Sequence, residues 1–184
     1  MSDEMFIKHC SPTLAELKTG NMFTCPFTSL DEVRQDIRRL NAMLRPKGLL
    51  VLPLRFMKGK VLIYLFRPAK LDEDLMDTEA ARLLTEEGYG RIGRSRCLTE
   101  LIRRMGESGE FPHEIGLFLS YPPEDVRGFI ENHAAGCKLV GTWKVYGDPE
   151  NAKRKFELYR KCTDYYKRQW EKGKTLSELA VSCC

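Results

Sequence analysis

Leu30, Val33, Ile37, Leu40 and Leu44 recur at alternating intervals of three and four residues. That spacing predicts an amphipathic helix, opened by Ser29 as N-cap with Glu32 as its capping-box partner. A helix is also predicted from Asp72 to Glu87, with Leu75, Ala80, Leu83 and Leu84 inward and Gly88 closing it. Another runs from Cys97 to Met105, with Leu98, Leu101, Ile102 and Met105 on one side. Ser11-Pro12-Thr13 reads as a helix start, Ser11 capping and Pro12 at the first helical position. Leu14 and Leu17 give that short helix its apolar face, and Gly20 stops it. Two runs dense in Leu, Val, Ile, Tyr and Phe, Gly48–Phe56 and Lys60–Arg67, flank Met57-Lys58-Gly59-Lys60. They predict a β-hairpin, with Pro53 marking an edge or a bulge.

In the second half, Ile115–Ser120 reads as a strand, Pro122-Pro123-Glu124-Asp125 as the opening of a helix, and Lys138–Tyr146 as the next strand. Val126, Phe129 and Ile130 form that helix's buried stripe, and Gly136 ends it. Strand, helix and strand together predict a βαβ unit. Asp148 then opens a last long helix with Ala152, Phe156, Tyr159, Thr163, Tyr166 and Trp170 on its core face. The expected fold class is α/β, a single-domain sandwich over residues 1–184. Its mixed sheet has about four to five strands, one hairpin plus the C-terminal βαβ unit, packed by helices. Residues 1–8 and 177–184 read as tails.

Charge and cysteine usage narrow the function classes. Thirty Lys and Arg against 26 Asp and Glu leave a net charge of +4, too mild to imply nucleic acid. The basic residues of the last helix lie off its aromatic stripe, which argues for a core helix over a nucleic-acid helix. The apolar runs near Gly48–Leu54 and Val61–Phe66 are too short to span a bilayer, and the acidic start Met1-Ser2-Asp3-Glu4 carries no secretory pattern. A cytoplasmic location is expected. Seven cysteines without a C-x-x-C pair argue against a disulfide framework or a zinc knuckle.

His9-Cys10-Ser11-Pro12 is the sharpest candidate site. With Ser11 as N-cap, Cys10 would sit just before a helix N-terminus, whose partial positive charge stabilises a thiolate, with His9 adding to this. Such a thiol would serve as nucleophile, redox group or ligand of a transition metal, with Cys25 and Cys137 as companion ligands and His113 as a base. Against this stands the ordinary role of a free cysteine as a small buried hydrophobe. Lys18 faces either the same cleft or solvent. His113 and Glu114 enter the predicted strand on opposite faces and do not both serve one site. Gly88-Tyr89-Gly90-Arg91-Ile92-Gly93 matches G-x-G-x-x-G, but a helix precedes it where a dinucleotide site needs a strand. What remains is either an anion-binding loop, with Arg91, Arg94 and Arg96 leading into a helix, or a mobile solvated loop. Tyr121 and Tyr146, beyond the ends of predicted strands, would line a pocket mouth. Gly141 within its strand marks a bulge or the close approach of another backbone or a ligand.

The strings from His9 to Ala15, Phe111 to Leu119, Tyr121 to Asn132 and Trp143 to Asp148 resemble a bacterial family known as domain of unknown function three-seven-nine-three. The likeness runs from about His9 to Leu176. It implies a one-domain cytoplasmic protein of mainly anaerobic bacteria, whose reducing habitat suits free thiols, and it carries no activity or site residue. Two functions follow from the residues themselves. One is a thiol-based or metal-linked redox or accessory role centred on Cys10. The other is a non-catalytic binding module for a protein partner, for another copy of the chain or for an anionic small molecule.

Overall fold

The computed structural model describes residues 1–90, 93–107 and 111–182. Among them the chain is mixed α/β, with nine α-helices, a three-stranded sheet and a two-stranded sheet. It divides into two compact units, Met1–Ala69 with Tyr159–Cys184, and Lys70–Leu158.

The first unit is built on an antiparallel sheet of order β1-β3-β2, made of β1 (Gly20–Pro26), β2 (Leu50–Met57) and β3 (Lys60–Phe66). β2 and β3 are the predicted hairpin, and the register shifts between Pro53 and Arg55, so Pro53 marks both the edge strand and its bulge. α2 (Leu30–Leu44) is the predicted helix, and the Ser29 hydroxyl accepts from the Glu32 N–H at 3.1 Å. Glu32 turns its carboxylate back to accept the Thr28 N–H at 3.2 Å. α1 (Asp3–Leu14) and α9 (Leu176–Leu179) pack Phe6, Ile7, Leu14, Leu176 and Leu179 into the same core as Val61, Ile63 and Leu65. Much of the two segments expected as tails is therefore helix and core. Arg67, wholly buried, donates from Nε to the Thr13 carbonyl at 2.8 Å and from Nη2 to those of Leu14 and Val181 at 2.9 and 2.8 Å. A guanidinium at the negative end of α1 is stabilised by these charge-assisted bonds, which offset its desolvation.

The second unit carries α4 (Thr78–Glu86), α5 (Arg94–Glu107), α6 (Ile115–Phe118), α7 (Pro123–Asn132) and the hairpin β4 (Leu139–Val140) with β5 (Lys144–Val145). α3 (Pro68–Met76) precedes α4, and Asp77 caps α4 by accepting the N–H groups of Glu79 and Ala80 at 3.0 Å. The predicted helix over 72–87 is thus two helices, because a side-chain cap competes with continuation. α8 (Pro149–Glu171) starts in this unit and ends in the first. Asp148 caps it as expected, accepting from Glu150 and Asn151.

Two expectations fail here. Ile115–Ser120 is not a strand, since its first four residues form α6. Lys138–Tyr146 is not one strand but an antiparallel hairpin of two-residue strands. The βαβ unit is therefore absent from the described residues, and a single sandwich over one mixed sheet is not what the two separate sheets present.

Candidate functional site

Asp125, in the first turn of α7, is 3% exposed. Its Oδ1 accepts the backbone N–H groups of Tyr146 and Gly147, both at 2.7 Å, and its Oδ2 accepts the Trp143 indole N–H at 2.7 Å. Three donors on one carboxylate hold the β4–β5 hairpin against α7, a charge-assisted clamp in a buried setting. Gly128 lies under the Tyr146 ring, and a Cβ there would overlap it. The Tyr146 hydroxyl meanwhile donates to the His133 carbonyl.

Clamping the hairpin aims Trp143 inward. Its indole stacks on Tyr121 at 4.8 Å between centroids and 27° between planes. The Phe156 ring of α8 also meets it edge-on, at 4.5 Å. Gly141 makes room for the Phe156 side chain, where its sequence position suggested a bulge or the close approach of a backbone or a ligand. Phe129, one turn beyond Asp125, faces His113 edge-on at 4.9 Å, and the Lys144 ammonium stands 5.1 Å from the Phe129 ring centre. Between these groups lies a cavity of about 280 Å³, walled chiefly by Phe111, His113, Tyr121, Phe129, Trp143 and Lys144. Two residues beside it hold left-handed backbone that non-glycine residues rarely adopt: Ser120 at φ 59°, next to Tyr121, and His133 at φ 52°, whose ring lies 5.4 Å from His113.

The other expected site residues are placed as follows. Cys10 is not at a helix N-terminus, because α1 begins seven residues earlier, at Asp3, and Ser11 and Pro12 lie inside it. The Ser11 hydroxyl donates to the Ile7 carbonyl rather than capping. Cys10 is fully buried, and burial pushes its thiol well above the usual range. His9 lies on the exposed side of α1, stacked on Phe23 at 5.3 Å, and burial and then Lys8 hold its imidazole below the usual value. Lys18 is buried, 5.8 Å from the Tyr159 ring centre, and burial lowers its ammonium to about 8. Cys25 is buried, its thiol donating to the Pro26 carbonyl at 3.2 Å, whereas Cys137 lies in the second unit, its thiol on the Ala134 carbonyl at 3.6 Å. Among the described residues no three His, Cys, Asp or Glu side chains converge to hold a metal ion. Arg91 lies outside the described residues. Arg94 pairs with Asp72, and Arg96 is exposed in the first turn of α5. Glu114 joins Tyr89 at 3.0 Å and Arg104 at 3.2 Å in a buried network, while His113 lines the cavity. Tyr121 lines the cavity, and Tyr146 is engaged on Gly128 and His133.

Of the residues that wall the cavity, sequence reasoning singles out His113 and Tyr121 as candidates and passes over Phe129, Trp143 and Lys144. A family described as "Protein of unknown function (DUF3793)" matches residues 6–180. The chain belongs to this family. The match spans both compact units and every residue of the aromatic cavity. No curated protein and no solved structure matches the chain. Among the described residues no helix is long and apolar enough to cross a membrane.

Proposed function

We propose that this chain is a non-catalytic module that binds a small ligand in the aromatic cavity of its second unit. The observation that carries the reading is the cavity itself: an apolar, open space whose aromatic walls are held by a buried carboxylate with three hydrogen bonds. Strained backbone at Ser120 and His133 adds support, because such conformations cluster where ligands are clamped. The thiol reading has less behind it. A nucleophilic cysteine needs thiolate character and access, and Cys10 is buried with its thiol pushed upward.

The test is an aromatic fragment screen on isotope-labelled protein, followed through backbone amide shifts. Binders are expected to move the amides of 113–116, 125–129 and 143–145, and to lose that effect in Phe129→Ala. A screen in which no fragment moves those amides would overturn the reading.

A further inference from the structure

We infer that the cavity takes a planar aromatic ring bearing a carboxylate, an inference that rests on the module reading above. An aromatic box ordinarily recognises a cation, because ring faces are electronegative. Here that place is already taken: the Lys144 ammonium stands 5.1 Å from the Phe129 ring centre. A second cation would meet like charge. The wall also contains His113, and its one acid, Asp125, has both oxygens engaged by three N–H donors. Among the described residues no carboxylate pairs with Lys144. With the oxygens of Asp125 committed to N–H donors, Lys144 is the charged group of the wall left to meet a charged ligand, and the ligand charge it would receive is an anion's.

Shape specifies the rest of the ligand. The lining is aromatic on several sides, with Phe111, Tyr121, Phe129 and Trp143, and aromatic rings pack on one another offset or edge-on. A cavity of roughly 150 Å³ holds benzene, so about 280 Å³ fits one or two fused rings with a short acidic arm.

Calorimetric titration of the full chain with four probes tests this: indole-3-acetate, indole, tryptamine and cyclohexaneacetate. Indole-3-acetate is expected to bind about tenfold more tightly than indole or cyclohexaneacetate, with tryptamine weakest. Lys144→Met should bring indole-3-acetate down to the level of indole, and Lys144→Arg should keep the preference. Equal affinity for indole and its acetate would remove the anion while leaving the module. Equal affinity for cyclohexaneacetate and indole-3-acetate would remove the planar ring. Binding of none of the probes to the wild-type chain would remove both. The comparison among probes uses the wild-type protein, so it decides the matter even where K144M fails to fold.

Discussion

Cys10 and Lys18 are coupled electrostatically inside the first unit, and their titrations act on stability in opposite directions. Burial lowers the Lys18 ammonium from 10.5 to about 8. Between those values the unfolded chain holds a proton that the folded chain has released, so Lys18 makes stability rise with pH there, by at most about 1.4 kcal/mol per pH unit. Cys10 is raised from 9.0 by burial, so above pH 9 the unfolded chain loses a proton that the folded chain keeps, and this contribution falls with pH. Lys18 thus stands apart from Cys10 between pH 8 and 9. Urea midpoints across that interval should rise more steeply for the wild-type chain than for Lys18→Met, and parallel lines would contradict the buried-ammonium assignment. The same burial fixes the order of thiol labelling. Peptide-resolved iodoacetamide modification at neutral pH should mark half-exposed Cys137 well before Cys10, and early labelling of Cys10 would reopen the thiol reading. In the second unit, Asp125→Asn leaves one oxygen where three N–H donors converge and turns an amide N–H toward the Trp143 indole. A loss of about 2–3 kcal/mol is expected by urea denaturation, together with weaker fragment binding.

Elements were legible where one face of a helix is apolar and the other charged. α2, α5 and α8 carry such stripes over two turns or more and form where their spacing places them. The β2–β3 hairpin was legible for a similar reason, since β3 is buried along nearly its whole length and reads as a continuous apolar run. Short apolar runs fail as signals because a buried strand and a buried helical turn look alike, which is how Ile115–Phe118 was misread. Ser11 and Pro12 are start signals placed at a helix end: the proline falls in the last turn of α1. β1 lacks a β-branched run and owes its conformation to pairing with β3 from Gly20 to Pro26. Trp143 and Lys144 carried one clue, an indole needing a partner near an acid at a helix start, but the pairing across 18 residues is visible only in three dimensions. The edge strand β2 invites a test at this scale. Asn41 of α2 mimics a neighbouring strand: its amide N–H donates to the Val51 carbonyl at 2.9 Å and its oxygen accepts the Val51 N–H at 2.8 Å. Asn41→Ala should cost about 1–3 kcal/mol and expose that edge, so sedimentation should reveal more concentration-dependent association than the wild-type chain shows under the same conditions.

For the molecule as a whole, a net charge of +4 gives a weak general attraction for anions and no selectivity among them, so any selectivity must come from a built cavity. That separates two outcomes for an anionic ligand. Diffuse attraction would give small stabilisation by any anion, erased by moderate salt. A specific complex stabilises by mass action, about 2.7 kcal/mol when free ligand is one hundred times its Kd. For a chain of 184 residues this corresponds to a rise in Tm of roughly 5–10 °C. Indole-3-acetate at one hundred times its Kd should produce such a rise in the unfolding transition of the chain, cyclohexaneacetate at the same concentration and charge much less, and Lys144→Met should abolish the difference. Equal shifts from the two anions would assign the effect to net charge rather than to the aromatic walls.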